Sequence, residues 1–326
     1  EKDIVLGTAL VDMYAKCGVL VKAKQVLEEL SVRNIVSWNA LIVGYLQQGQ
    51  FHEVLHCFER ILNEGLSPNS VTFISILKAC GSTGAISKGE KVHEEILNRG
   101  LKKDIVLGTA LVDMYAKCGV LAKAQEVLEQ LPVRDVVSWN IIITGCAQLG
   151  LPEEVLDYFD QMQHEGLSPN AVTLVCILTA CSSLGAVHKG EEIHVEIVKE
   201  GLSVKNVMIG TALVDMYAKF GELTKAQEVF DRLLIQDTVA WNALILGYTQ
   251  QGHDMDALNC YERMQHGGLC PDVFTLSSIL KACGNVGMVV KGAEIYAYII
   301  GDEVLAKDLL LCTALLDMFI KFGDLV

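Results

Sequence analysis

Apolar positions follow a helical period along the chain, and residues 35–68 show the pattern clearly. Four large apolar residues recur there at i, i+3, i+4 and i+7: Trp38, Leu41, Ile42 and Tyr45. Gly49 interrupts the pattern, and a second amphipathic stretch follows it. Gly65 then suits a helix C-cap, and Pro68 suits a stop. The segment therefore predicts two antiparallel helices of about 12 residues each.

The same pattern returns along the whole chain because the sequence is an internal repeat. The string DIVLGTALVDMYAKCGVL begins at Asp3 and recurs unchanged from Asp104. Close variants begin at Asn206 and Asp308, so that successive copies lie 101, 102 and 102 residues apart. Periodic self-similarity of this kind is typical of solenoid proteins.

Each long period divides into a short, a standard and a long repeat, of 31, 35 and 35 or 36 residues. The repeats are 4–34, 35–69, 70–104, 105–135, 136–170, 171–206, 207–237, 238–272 and 273–308, with a partial short repeat at 309–326. One helix pair cannot enclose a core, but stacked pairs can. We therefore predict an all-α fold, a right-handed α-solenoid (superhelix) of stacked helix-turn-helix pairs, which forms one continuous array over 1–326.

The first helix of each repeat carries a second face, turned away from its apolar stripe. At 100° per residue, one standard repeat places four residues there: Val36, Asn39, Val43 and Gln47. The short repeat places Val5, Thr8, Asp12 and Lys16 at the equivalent positions. Stacking between helix pairs is not expected to need this face. If the first helices line the concave side, the face forms a groove.

The charge balance limits what such a groove could bind. With 26 basic and 40 acidic residues, the formal charge is −14, which excludes a protein that holds nucleic acid by bulk positive charge. The groove face itself is expected to sum to +2, since Asp12 and its counterparts in the other short repeats are each offset by a lysine four residues later, and Lys78 and Lys281 add two more. Such pairs could equally be plain helix support. No apolar run is long enough for a membrane span.

No catalytic or metal-binding constellation is recognisable. His93–Glu95 and His194–Glu196 match H-x-E, but no CxxC follows, so we expect them only to occupy equivalent positions of second helices. His52, His56 and Cys57 are expected to be a surface coincidence. The three tryptophans could stack on bases, but core packing is favoured. The eleven cysteines are expected to be reduced and largely buried. We predict no enzyme activity, metal or cofactor.

Three recurring motifs carry a family resemblance: VSWNALIVGY with EGLSPN, ALVDMYAKCG, and ILKACGSTG with GEKVH. They resemble the pentatricopeptide repeat (PPR) family, and the alternation of repeat lengths resembles its plant PLS subclass. The resemblance implies binding of single-stranded RNA, one nucleotide per repeat, and no small-molecule substrate. It also implies a location in the mitochondrion or chloroplast and a role in C-to-U editing. Catalysis would then come from elsewhere, with a deaminase domain or an editing accessory protein as a possible partner.

In this family the fifth and last residues of a repeat choose the base, and the resemblance can be carried over pair by pair. Thr8/Asn34 resembles the adenine pair, Asn39/Asn69 and Asn140/Asn170 cytosine-leaning pyrimidine pairs, Thr109/Asp135 and Thr211/Asp237 guanine pairs, and Asn242/Asp272 the uracil pair. The long repeats depart from the pattern, with Ile74/Asp104, Val175/Asn206 and Ser277/Asp308. Ile and Val cannot form hydrogen bonds with a base, so those sites are expected to discriminate weakly or not at all. The implied target is 5′-ACNGYNGUN-3′.

Two further sets of residues follow from the resemblance. The second residue of each repeat would clamp the base: Val5, Val36, Val71, Val106, Val137, Val172 and Val239, with Met208 and Phe274 in the remaining two repeats. Phosphates could be approached by Lys16, Lys117 and Lys219. The alternative function is a protein-binding scaffold like the tetratricopeptide arrays, which share the helix-pair design, and the charge of −14 is its best support.

Overall fold

The computed structural model describes residues 2–201 and 206–323, and the side chains among them from residue 4 onward. The remaining residues of the repeats 171–206 and 309–326 lie outside the described part. All regular structure in the described residues is helical, as nineteen α-helices and two short 3₁₀ turns. No helix among them combines the length and apolar character that crossing a bilayer requires.

Every complete repeat contributes two helices. The first helices are α1 (Lys2–Lys16), α3 (Ile35–Gln47), α5 (Ser70–Thr83), α7 (Ile105–Lys117), α9 (Val136–Gln148), α11 (Ala171–Leu184), α13 (Val207–Phe220), α15 (Thr238–Gln250), α17 (Val273–Val286) and α19 (Leu309–Gly323). The second helices are α2 (Leu20–Glu29), α4 (Phe51–Asn63), α6 (Ile86–Asn98), α8 (Leu121–Gln130), α10 (Pro152–His164), α12 (Val187–Lys199), α14 (Leu223–Asp231), α16 (Asp254–His266) and α18 (Val289–Ile300). The predicted helix pairs are confirmed. From the second repeat onward, each first helix begins at the first residue of its repeat.

The last residue of each repeat starts the next first helix. Asn34 Oδ1 accepts from the Ser37 backbone N–H at 2.9 Å, and Ser37 Oγ accepts from the Asn34 backbone N–H. The same reciprocal cap is formed by Asn69 with Thr72 and by Asp272 with Thr275. Because a cap is worth about 1 kcal/mol of helix stability, Asn and Asp at this position have a structural role before any other.

The chain divides into two compact units, unit 1 (Glu1–Ser168) and unit 2 (Pro169–Val326). In unit 1 the first helices α1, α3, α5, α7 and α9 pack side by side in sequence order, and α11, α13, α15, α17 and α19 do the same in unit 2. Within each unit, a second helix packs on its own first helix and on the next one. First helices therefore form one layer of each unit and second helices the other. The continuous array over the whole chain stays a prediction.

Small residues let neighbouring first helices approach closely. A Cβ atom at Gly44 would lie 2.6 Å from the Cβ of Ala15, and one at Gly247 would lie 2.5 Å from that of Ala218. Both are contacts between a short repeat and the standard repeat that follows it. The three tryptophans of these first helices are buried, so their predicted role in core packing is confirmed.

Candidate binding groove on the first helices

One apolar side chain per complete repeat is left exposed at the second position of the first helix. The seven valines predicted as clamps are between 46% and 72% exposed. Met208 and Phe274, which replace valine in two repeats of unit 2, are exposed to a similar degree. Side chains that contribute so little to the core are available to contact a ligand.

The fifth and last residues of two standard repeats lie in direct contact. Asn39 Nδ2 donates to Asn69 Oδ1 at 2.9 Å, and Asn242 Nδ2 donates to Asp272 Oδ2 at 2.8 Å. The contact arises because the last residue of a repeat caps the first helix of the next repeat. That helix packs beside the first helix that carries the fifth residue. The structure thus joins two residues that are 30 positions apart in the sequence. Asn140 and Asn170 fall in different units.

The expectation that stacking does not need this face is wrong for Asn39. Its side chain is only 7% exposed, and its Oδ1 accepts from the hydroxyl of Thr72 in the next repeat at 2.8 Å. Thr275 makes the same bond to Asn242. An amide has two N–H donors and an oxygen with two lone pairs, so each of these asparagines keeps one donor and one acceptor site. Thr72 and Thr275 were missed by the sequence analysis, although their place three residues after the cap is a recognisable signal.

The threonines at the fifth position of short repeats behave differently. Thr109 Oγ1 donates to the Ile105 carbonyl at 2.7 Å, within its own helix. Thr8 and Thr211 have a buried hydroxyl oxygen without a partner in the described part of the chain. Within those residues, neither Asp135 nor Asp237 bonds to the threonine paired with it in the sequence analysis. Because threonine is shorter than asparagine, the second carboxylate oxygen of each aspartate is left without a partner in these residues.

In unit 2 these positions line a single groove of about 910 Å³, which we call the unit 2 groove. Its walls include clamp positions and base-pair positions together: Met208, Thr211, Asp237, Val239, Asn242, Asp272, Phe274, Ser277 and Leu310. The polar Asn242–Asp272 pair therefore lies among exposed apolar side chains. That arrangement suits a flat ligand with a polar edge.

The lysines predicted to approach phosphates are all ion-paired. Lys16, Lys117 and Lys219 lie 2.7 to 2.8 Å from an aspartate four residues earlier on the same helix. These pairs are partly exposed, and each is worth about 0.3–0.5 kcal/mol. Lys78 and Lys281 are exposed on first helices of long repeats and have no ion pair within the described residues. Both were placed on this face by the sequence analysis but were not included among the lysines predicted to approach phosphates.

The histidines of the two H-x-E sequences lie in second helices at equivalent places, as predicted. His93 Nδ1 is 3.0 Å from the Tyr115 hydroxyl, and His194 Nδ1 is 2.8 Å from the Tyr217 hydroxyl. Burial lowers the pKa of both histidines. No group of three or more His, Cys, Asp or Glu in the described ranges could hold a metal ion.

The cysteines are free thiols, and six of the eleven are buried. Burial raises the pKa of the Cys57 thiol to about 12, which makes it a poor metal ligand at neutral pH. His52 and His56 lie exposed on the same helix.

Sequence profiles place the repeats in a known family. A profile described as PPR repeat family matches residues 33–82, 134–183 and 236–285. A second profile, described as PPR repeat, matches 8–35, 71–101 and 211–235.

Relatives that match most or all of this chain are found in Arabidopsis thaliana. One pentatricopeptide repeat-containing protein, named as chloroplastic, is 38% identical over 88% of this chain and 46% of its own length. Another, named as mitochondrial, is 37% identical over the whole of this chain and 47% of its own length. The chain thus spans about half of these relatives.

The fold is also that of solved structures. The crystal structure of the pentatricopeptide repeat protein PPR10 in complex with an 18-nucleotide psaJ RNA element aligns with a TM-score of 0.75 and 18% identity. The alignment covers 94% of this chain and 47% of PPR10. A structure of PPR10 from maize aligns with a TM-score of 0.59 and 21% identity, over 98% of this chain and 52% of that one. The predicted α-solenoid fold class is confirmed.

Proposed function

This chain belongs to the PPR repeat family, and on that premise we propose that the exposed face of its first helices binds single-stranded RNA selectively, one nucleotide per repeat. The observation that supports this most is the combination of two side-chain types on one face. Each complete repeat exposes an apolar side chain at its second position and ends on Asn or Asp. An apolar clamp and a polar edge are what recognition of an unstacked base requires.

The polar pairs would choose the base by the atoms they leave open. In Thr109/Asp135 and Thr211/Asp237 one carboxylate oxygen remains to accept from a base, which suits the donors of guanine. In Asn242/Asp272 that oxygen is already taken by Asn242, so a base with fewer donors fits better, in agreement with uracil. The proposed target remains 5′-ACNGYNGUN-3′.

Electrostatics would play a small part in this binding. Lys16, Lys117 and Lys219 each have an aspartate partner, so a phosphate must compete with a carboxylate for these three lysines. We therefore expect a modest affinity and a shallow dependence on salt. The proposed biological role is to position an organellar transcript for processing such as C-to-U editing, with catalysis supplied by another domain or protein. The organellar assignment rests on relatives named as chloroplastic or mitochondrial, and the PLS subclass on the alternating repeat lengths.

The test is a binding titration with 5′-ACAGCAGU-3′ RNA, a scrambled RNA of the same composition, and the DNA version. We expect the first RNA to bind more tightly than either competitor. In the Asn242→Thr variant, preference at the eighth nucleotide should move from pyrimidine to purine, by about 1–3 kcal/mol if it resembles a good base contact. Equal affinity for all three nucleic acids would overturn the proposal and favour the protein-binding scaffold.

A further inference from the structure

The three standard repeats have equivalent tryptophans, and in two of these repeats an arginine of the second helix lies over the indole ring. In repeat 35–69 the guanidinium carbon of Arg60 is 4.8 Å from the centre of the Trp38 ring. In repeat 238–272 the guanidinium carbon of Arg263 is 5.3 Å from the centre of the Trp241 ring. A cation over an aromatic face is attracted to it, so these two repeats each supply a cation to their own tryptophan.

The same two arginines also form ion pairs with the short repeat that precedes them. Arg60 Nη1 lies 3.0 Å from Glu28 Oε1 on α2. Arg263 Nη2 lies 3.3 Å from Asp231 Oδ1, at the equivalent position of α14. At both junctions a guanidinium therefore lies between an indole ring and a carboxylate.

The third standard repeat, 136–170, lacks the arginine but keeps both of its partners. Gln161 stands at the equivalent position. It is exposed, and its side chain has no hydrogen bond in the described part of the chain. Trp139 and Glu129 occupy the places of the tryptophan and the carboxylate. Glu129 Oε1 accepts from Gln125 Nε2 on its own helix at 2.9 Å, but within the described residues Glu129 has no ion pair.

A cavity of about 370 Å³ lies at this junction, between α8 and α10 of unit 1. Trp139, Glu129 and Gln161 are among the residues that line it. Tyr158 provides a second aromatic wall, with its ring centroid 6.3 Å from that of Trp139. Both other standard repeats have cysteine in place of this tyrosine. The cavity thus combines two aromatic rings with a carboxylate that lacks a cationic partner.

The charges around the cavity favour a guanidinium as its ligand. Arg134 also lines the cavity, but it is already paired with Glu165, whose Oε2 accepts from the Trp139 indole N–H at 2.9 Å. Because Arg134 and Glu165 cancel, Glu129 remains as an unbalanced negative charge. A planar guanidinium can stack on an aromatic ring and bind a carboxylate through two N–H groups, whereas an ammonium group is a point charge without this geometry.

We propose that this cavity binds an arginine side chain of a partner protein, in place of the arginine that the other two standard repeats supply themselves. The guanidinium contacts Trp139 and pairs with Glu129, and the methylene chain packs beside Tyr158. The cavity contains no clamp residue and no fifth or last residue of a repeat, so the inference does not depend on RNA binding. Repeat 136–170 thereby gains a role in protein recognition that its two counterparts lack.

The experiment follows the three indole N–H signals by NMR while a peptide is added to the nitrogen-15-labelled chain. The probes are acetylated and amidated Gly-Arg-Gly, Gly-Lys-Gly and Gly-citrulline-Gly, of which the last keeps the shape of arginine without its charge. We expect the arginine peptide to shift the Trp139 signal in a saturable manner. It should bind about 3- to 30-fold more tightly than the citrulline peptide, the range of one cation–π contact, with the lysine peptide weaker than arginine. The signals of Trp38 and Trp241 should stay in place, because an arginine already lies over each ring.

A variant that fills the cavity from within the chain tests the same site. Gln161→Arg restores the residue of the other two standard repeats, so it should abolish binding of the arginine peptide and raise the midpoint of urea unfolding. Gln163→Arg is the matched control, because it adds the same charge to an exposed position of the same helix that does not line the cavity. It should leave binding of the peptide unchanged.

A second variant tests the carboxylate. Glu129→Gln should lower the affinity for the arginine peptide to that for the citrulline peptide. Glu126→Gln, on the same helix and outside the walls of the cavity, should leave the affinity unchanged.

The opposite results would each overturn the proposal. Equal affinity for the arginine and citrulline peptides would show that charge is not recognised, and retained binding in Gln161→Arg would place the peptide elsewhere. Equal affinity for the arginine and lysine peptides would mean a general cation site and overturn the assignment to a guanidinium. Equal shifts of all three indole signals would show a non-specific effect of the peptide. None of these results bears on the proposed RNA binding, which is measured with RNA.

Discussion

The standard repeats of unit 1 and unit 2 agree on the groove side and differ on the opposite side. In repeat 35–69 the Trp38 indole N–H donates to Glu64 Oε2 at 3.0 Å, and Arg33 Nε lies 3.0 Å from the other oxygen of Glu64. Repeat 136–170 has the same three residue types in the same arrangement. We call this arrangement the tryptophan clasp.

The clasp is missing from repeat 238–272 in unit 2. Gly267 stands where the glutamate would be, and Gln236 replaces the arginine and donates instead to the Phe230 carbonyl at 3.1 Å. Trp241 packs edge-on against Phe230, with ring centroids 4.4 Å apart. On the groove side, the bond between Asn242 and Asp272 matches that between Asn39 and Asn69. Interactions between repeats can thus be lost on one side while the polar pair on the other is kept.

The largest expected effect comes from removing the clasp. Glu64→Ala should lower the free energy of unfolding by about 1.5–3 kcal/mol, because a buried indole and Arg33 both lose a charged partner. Gly267→Ala is the matched change in unit 2, where no clasp exists, and should have a much smaller effect. Equilibrium urea unfolding followed by circular dichroism measures both. Similar losses in the two variants would show that the clasp does not distinguish the units.

A smaller effect, and one common to both units, is expected on the groove side. Thr72→Val and Thr275→Val each remove a hydroxyl that bonds to a groove asparagine, at nearly constant volume. Each should cost about 0.5–1.5 kcal/mol of stability and weaken discrimination at the nucleotide that faces Asn39 or Asn242. Urea unfolding and RNA titration are the measurements. A loss of stability in only one of the two variants would contradict a common role for the two threonines.

Each long repeat contacts the short repeat that follows it through an aromatic pair, and the three pairs differ in their expected response to acid. Burial lowers the pKa of His93 and His194, so the unfolded chain takes up protons first as the pH falls below about 6.5. Stability that is fully present near neutral pH should therefore decline below that value. The third junction has Tyr296 against Phe319, with ring centroids 5.5 Å apart, and adds no such dependence.

A double variant, His93→Phe with His194→Phe, tests the acid effect. Urea unfolding at a series of pH values should show that the loss of stability on acidification is smaller than in the unchanged chain. An unaltered pH profile would mean that other groups cause the acid sensitivity.

Much of the fold could be predicted because its signals are local. Helix period, the capping residue at each repeat end and the glycine after each helix are all readable within one repeat, as Gly65 with a φ of 70° illustrates. The burial of Asn39 was not predicted, because a helical wheel gives an angle around one helix and says nothing of Thr72 on the next. The tryptophan clasp was not predicted for the same reason, since Trp38 and Glu64 lie 26 residues apart on different helices. Where a contact crosses between helices, the period alone carries no information on it.

The smallest effect concerns the paired lysines. Asp113→Asn frees Lys117, at a cost of about 0.3–0.5 kcal/mol of helix support. If Lys117 lies near the RNA backbone, its release should raise affinity and steepen the salt dependence, by about 0.7 in the slope of log K against log salt for one added contact with a single strand. Glu95→Gln is a matched control, because Glu95 on the second helix α6 pairs with Arg99, four residues later and directly after the end of that helix. That variant should lose a similar amount of helix stability, with no change in the slope of log K against log salt. If both variants leave the slope unchanged, Lys117 lies outside the reach of the backbone, and Lys78 and Lys281 become the cations to examine.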